Sequence, residues 1–303
     1  MLVENFTTKQ FRRLQRYILP DGVSSIECDL YLLDKKLNHS KHLLKIYKRT
    51  SGEYMGNKLL TINSLMDNKD NIDIDELVFP EKLAIVDKKL VGFTMQLIEN
   101  NTNLAVLLKD KQITTKQKIE WLKQVGKILT KVQHVNSVNG QFLLGDIHES
   151  NFILNHDTNK IICVDLDGCK ISNNKIYSMK YGSFNEKFYY FPNKYPLDDD
   201  DEPIPTYNTE WYCYTTMVLN MIANGSIHKL LLSDYYDYIQ YLRDSKFPDE
   251  LIDCFINIYT NHDNYSPRDL LEQIPNNLDK VSLGSFVEKA KINYLSMNNK
   301  RHK

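Results

Sequence analysis

Cysteine is sparse and scattered. The five, Cys28, Cys163, Cys169, Cys213 and Cys254, include no C-x-x-C pair. An odd number at irregular spacing argues against a disulfide framework or a structural zinc site and points to a reducing compartment, so a cytoplasmic location is expected. Neither sign of charge dominates, with 38 Lys and Arg against 39 Asp and Glu. A nucleic-acid binder usually carries a marked basic excess, so no nucleic-acid partner is expected. No apolar run approaches the roughly 18 residues that span a bilayer. The stretch Met1 to Thr8 carries an acidic residue and no apolar core, unlike a secretory signal. No membrane association is expected. Internal repeats are absent, and the run Asp198 to Glu202 is the one low-complexity tract.

What is present is an ordered change of periodicity along 303 residues with 42% hydrophobic content, enough for a sizeable core. Arg16 to Leu19, Glu27 to Leu33 and His42 to Lys48 read as strands, the first two flanking the polar turn Pro20 to Ser25. Gly52 to Met66 has helical spacing, with Met55, Leu59, Ile62 and Leu65 or Met66 on one side. Leu83 to Val86 and Val91 to Ile98 flank Asp87-Lys88-Lys89 as a hairpin. A linker is expected near residues 98 to 104. Thr115 to Val135 then reads as a helix, interrupted by Gly126, followed by short strands at Phe142 to Leu144, Phe152 to Leu154 and Ile161 to Val164. Residues 171 to 208 lack periodicity, and a loop that long is usually functional or disordered. Helices resume at Glu210 to Ala223, Lys229 to Arg243, Pro248 to Tyr259 and Ser266 to Gln273, and an amphipathic segment, Leu283 to Leu295, precedes a basic tail.

Asp146 and Asn151 stand five residues apart on a loop between short strands, and Asp165 follows 14 residues later at the end of an apolar strand. Phosphoryl transfer from ATP needs magnesium ligands, a group that orients the nucleophile, and cations on the phosphates. Magnesium takes one or two protein carboxylates or amides, with phosphate and water oxygens completing its octahedron. Lys45, in Leu43-Leu44-Lys45-Ile46-Tyr47, is a charge set mid-strand among apolar neighbours.

Gly145-Asp-x-His-x-x-Asn, an apolar strand, and Asp165-x-Asp-Gly together resemble the protein-kinase-like superfamily, which includes aminoglycoside and choline kinases. The resemblance implies that Asp146 orients or accepts the proton of the attacking hydroxyl. It implies that Asn151 and Asp165 hold magnesium, and that Lys45 pairs with ATP phosphates and with a helix glutamate, for which Glu53 is the candidate. Gly22 and Ser24 would cover the phosphates, although a strict glycine-rich loop is lacking. Met95 would lie near the gatekeeper position, and Gln96, Leu97 and Ile98 would form the hinge that meets adenine. Glu210 would brace the catalytic loop. Leu144 and Gly145 stand where protein kinases carry His and Arg, and His148 stands where Ser/Thr kinases carry Lys, a residue that aminoglycoside-kinase-like enzymes often replace by His.

The expected architecture is therefore α+β and bilobal, protein-kinase-like. It has an antiparallel-sheet N-lobe with one helix at 1–98, a mainly helical C-lobe at 99–278, and a C-terminal helix and basic tail at 279–303. The expected activity is ATP- and Mg-dependent transfer of the γ-phosphate to a Ser or Thr hydroxyl of a protein. The alternatives are a small-molecule kinase, for which Gly145 and His148 speak, and a pseudokinase used as a binding module. A third alternative is that the cleft transfers a nucleotidyl group instead of phosphate.

Overall fold

A computed structural model describes residues 2–19, 27–33, 41–50, 52–139, 142–171, 206–222, 239–240, 242–244 and 247–259. The fold is mixed, with a mainly antiparallel sheet and several helices. The chain divides into two compact units. The first gathers Met1–Val106, Lys131–Asp146 and Ser150–Ser178, and the second gathers Leu107–Thr130, Ile147–Glu149 and Met179–Lys303.

The first unit is built on a six-stranded sheet of order β1-β5-β6-β4-β3-β2. Its strands are β1 (Val3–Phe6), β2 (Gln15–Tyr17), β3 (Cys28–Leu32), β4 (His42–Tyr47), β5 (Pro80–Val86) and β6 (Lys89–Gln96). All neighbours are antiparallel except β1, which pairs in parallel with β5. The alternation of β4 sends Leu43, Lys45 and Tyr47 to one face. Register then aligns Tyr17, Leu30, Lys45 and Phe93 in one cross-strand row, and Gln15, Leu32, Leu43 and Met95 in the next. Residues directly opposite share a face, so Lys45 stands in the row of a buried aromatic, Phe93, whose burial contributes about 2–3 kcal/mol.

The helix α2 (Gly52–Ile72) covers this face with Met55, Ile62 and Leu65 buried, and the core continues into Val78, Ile153 and Ile162. It runs beyond the Gly52 to Met66 span that periodicity marks, because Ile72 is also buried, and it ends before Asp73, which takes a positive φ of 45°. The β5–β6 hairpin turns at Asp87 and Lys88 with φ of 45° and 68°. Two positive φ values are what a two-residue type I′ turn requires, and its twist matches the strands. Asp87 also accepts from the backbone of Thr8 at 3.2 Å, at the start of the short helix α1 (Thr8–Phe11).

Two short sheets complete the unit: β7 (Asn101–Asn103), β9 (Phe152–Asn155) and β10 (Lys160–Cys163), in the order β10-β9-β7, and β8 (Phe142–Leu143) with β11 (Lys170–Ile171). The stretch expected as a linker near 98 to 104 is thus partly a strand. Its asparagines satisfy backbone groups: Asn101 donates to Ile98 O at 2.6 Å, and Asn103 accepts from Ala105 N at 2.8 Å, capping α3 (Leu104–Lys109). The strand β1 has no counterpart in the sequence reading, since four residues at a sheet edge give too short an alternation to register. The helix α4 (Thr115–Asn139) passes from the second unit into the first, and Lys131 meets Glu76 there at 2.7 Å.

In the second unit α5 (Tyr207–Ile222) packs against α6 (Asp249–Tyr259). The Tyr214 hydroxyl donates to the carbonyl of Leu122 at 3.0 Å, and burial raises its pKa. The expected helices at 266–273 and 283–295 and most of 171–208 lie outside the described residues, as does much of 229–243. Among the described residues no helix is long and apolar enough to cross a membrane.

Candidate functional site

Three local structures of the first unit place the chemistry-bearing side chains. The first is the approach to Asp146. Gly145 has a φ of 72°, and Asp146 N donates to Leu144 O at 2.8 Å, two residues back. That is a γ-turn of the positive-φ kind, a strained conformation that glycine enters most cheaply. It accounts for glycine at position 145.

The second is the single turn of 3-10 helix Glu149–Asn151 that follows. It presents the buried Asn151 back toward Asp146. The Asn151 amide donates to the Asp146 backbone carbonyl at 2.8 Å and to its carboxylate at 3.2 Å. Because the amide nitrogen is committed to Asp146, the side-chain oxygen is the atom left to act as a ligand. Asn151 O in turn accepts from Val164 N at 2.8 Å, which ties this loop to the end of β10.

The third is the turn after β10. Asp165 sits in left-handed backbone, φ 66° and ψ 54°, and leads into the 3-10 turn Leu166–Gly168. Non-glycine residues held there are uncommon and mark turns or sites under constraint, and Asp tolerates the region better than most. Asp165 pairs with Lys45 on β4, and Asp167 approaches the same ammonium at 3.0 Å. Lys45 and Asp167 each expose 3% of their side chains, whereas Asp165 exposes 42%.

Two further groups close this polar corner. Tyr47, two residues along β4 from Lys45, donates its hydroxyl to the Asp167 carboxylate. Lys58, buried on α2, donates to the Asp167 backbone carbonyl at 3.2 Å and lies 3.8 Å from its carboxylate. The Lys45 ammonium also lies 5.6 Å from the ring centres of both Tyr47 and Phe93.

Charge balance follows from these contacts. Burial works against a charge on Lys45, but Asp165 and Asp167 outweigh it, and its pKa is raised well above its ordinary value. Burial likewise opposes the charge on Asp167. Lys45, Lys58 and hydrogen bonds from Asp165 and Tyr47 overcome it and hold that carboxyl far below the usual range. Asp165 goes the other way: desolvation, opposed by Lys45 and reinforced by Asp167, lifts it to about 7. Its exposure lets solvent soften that rise. Two neighbouring carboxyls whose pKa values are driven apart are a recurrent feature of chemical sites.

Lys45, Asp146, Asn151 and Asp165 are therefore joined by one continuous set of contacts within the first unit. Among the described residues no group of three or more His, Cys, Asp or Glu side chains is placed to hold a metal by itself. One carboxylate and one amide oxygen do suit magnesium, which keeps most of its shell for phosphate and water.

A cleft of about 640 Å³ opens in the same unit, lined by Tyr17, Leu32, Leu97, Arg13, Lys41 and Asn101. Tyr17 stands in the cross-strand row of Lys45 and Leu32 in the next row, that of Leu43, so the cleft shares the Lys45 face of the sheet. Leu97 lines it, and its N–H donates to Lys41 O at 3.0 Å. Gln96 is exposed at the end of β6, and Ile98 is half-buried. His148 is buried, and Glu210 is buried in α5 of the second unit. Gly22 and Ser24 lie outside the described residues, and Glu53 falls in the first turn of α2, where its side chain is outside the described part.

Asp167 and Lys58 carry no role in the sequence reading. For Lys58 a signal existed: Met55, Lys58, Ile62 and Leu65 form one helical stripe at i, i+3, i+7 and i+10 spacing, and a lysine on a buried stripe needs a partner. Compared with models of known protein families and with curated protein sequences, the chain matches none.

Proposed function

We propose that the chain is an ATP- and Mg-dependent phosphotransferase of the protein-kinase-like kind, bilobal in fold, that moves the γ-phosphate to a Ser or Thr hydroxyl of a protein. The observation that carries this reading is the contact chain from Asp146 through Asn151 and Val164 to Asp165 and Lys45. It brings two carboxylates, an amide and a cation into one unit, which supports this reading.

In this reading adenine enters the cleft beside Leu97 and the phosphates extend along the same face of the sheet toward Lys45. The Asn151 amide oxygen and the Asp165 carboxylate would hold magnesium, which would supply charge neutralisation on the phosphate oxygens. Lys45 exchanges its contact with Asp165 for a phosphate oxygen. Asp146, steadied by Asn151, orients the acceptor hydroxyl and takes its proton as the oxygen bonds to the γ-phosphorus and ADP leaves. Preorganised charges of this kind are worth several kcal/mol each when water is excluded.

A second reading differs only in the acceptor. The glycine γ-turn at Gly145 and the buried His148 favour a small-molecule hydroxyl, since they depart from the Arg and Lys of protein kinases. Incubation with γ-labelled ATP and magnesium separates the two, with a basic protein in one arm and a panel of amino-sugar and amino-alcohol acceptors in the other. Label on the protein supports the first reading, label on a small molecule supports the second, and no label in either arm contradicts both.

A further inference from the structure

We propose, resting on the phosphotransfer reading, that Asp167 is the positioning residue for Lys45, and that α2 secures it with a cation, Lys58. A lysine with 3% of its side chain exposed needs a counter-charge that stays with it, because an unpaired buried charge is strongly unfavourable. Asp165 is the exposed member of the two carboxylates and the one that would turn to magnesium. Asp167 is sealed, lies 3.0 Å from the ammonium, and remains.

Asp167 is itself fixed from three directions. Its own turn, Leu166–Gly168, packs against α2. Tyr47 donates to its carboxylate from the strand that carries Lys45, and the two residues share a face because they are two apart. Lys58 reaches its backbone carbonyl from the helix. Strand, helix and turn therefore each supply one corner. The Lys58 ammonium lies 3.8 Å from the Asp167 carboxylate, so the helix meets the anion in the turn with a cation.

The test reads Lys45 directly, without nucleotide. A limiting dose of acetic anhydride is applied to wild type, Asp167→Asn, Asp165→Asn, Tyr47→Phe, Lys58→Met and Lys58→Arg, and acetylation of the Lys45 peptide is measured by mass spectrometry, with thermal melts to confirm folding. Losing the anchor frees the amine from its buried place, and each 1.4 kcal/mol of restraint lost raises the reactive population about tenfold. The expected result is a rise of about tenfold in Asp167→Asn, smaller rises in Tyr47→Phe and Lys58→Met, near wild-type protection in Lys58→Arg, and a rise in Asp165→Asn below that of Asp167→Asn. Wild-type protection in Asp167→Asn, or greater exposure in Asp165→Asn, overturns the proposal. If Asp167→Asn does not fold, wild-type protection in both Lys58→Met and Tyr47→Phe overturns it. A protein that shows the expected labelling yet consumes no ATP refutes the phosphotransfer reading and leaves the Lys45 anchor in place.

Discussion

Lys45 on β4 and Asp167 in the turn after β10 are 122 residues apart in the chain and meet as a buried ion pair of 3.0 Å. Breaking such a pair from one side usually costs roughly 3–5 kcal/mol, because the remaining charge is stranded. Here the two sides are not equivalent. Asp167 keeps Lys58 and Tyr47 if Lys45 is removed, whereas among the described residues Lys45 without Asp167 keeps one carboxylate partner, Asp165.

That asymmetry makes Lys45→Met informative. The variant should fold, with its unfolding midpoint lowered by no more than a few degrees, and should lose about two orders of magnitude or more in ATP turnover. Near-normal turnover would remove Lys45 from the phosphate site.

Asp165→Asn separates stability from chemistry. The wild-type carboxyl titrates near 7 in the fold, above the ordinary value near 4. The folded state therefore holds this proton more tightly. The stability it contributes is complete at low pH and is lost as pH rises from about 4 through about 7. An asparagine carries no such titration, so the variant's melting temperature at pH 8 should equal or exceed that of wild type, while magnesium-dependent nucleotide binding is abolished. A clear drop in melting temperature, or unchanged binding in calorimetry, contradicts the assignment.

Two glycines predict changes of opposite sign. A Cβ on Gly92 would fall 1.8 Å from Lys45 O and 3.1 Å from Ile46 Cα, so β4 must shift. Gly92→Ala should cost about 3 kcal/mol in denaturant unfolding and disturb Lys45 as well.

A Cβ on Gly56, exposed on α2, meets nothing within 4 Å. Gly56→Ala should stabilise by about 0.5–1 kcal/mol through helix propensity and a less flexible unfolded chain, with ATP turnover unaffected. A loss of stability there would mean that α2 is packed differently around this turn.

The parts of the site that are local in sequence were legible. Asp146, Asn151 and Asp165 lie within one β-hairpin and its flanking turns, so their spacing survives folding, and the mid-strand position of Lys45 follows from simple alternation. The strands at Cys28–Leu32 and His42–Tyr47 and the helix from Gly52 were also readable from their periods. What could not be read depends on distant pairing. Asp167 stands in the motif itself, yet its part is set by Tyr47 and Lys58 more than 100 residues earlier. The parallel pairing of Val3–Phe6 with Leu83–Val86 is likewise a long-range event with little local signature. Gly145 was read as a departure from the kinase pattern, and only the backbone hydrogen bond from Asp146 to Leu144 shows the γ-turn behind it.

The most direct test of the central claim is conversion of ATP to ADP by purified protein with magnesium and with magnesium chelated, wild type beside Asp146→Asn. The account predicts turnover by wild type with magnesium only, and a loss of at least about a hundredfold in Asp146→Asn, whose orienting carboxylate is gone while Asn151 can still bond its backbone carbonyl. Equal turnover by the two proteins, or turnover that persists without magnesium, would contradict it.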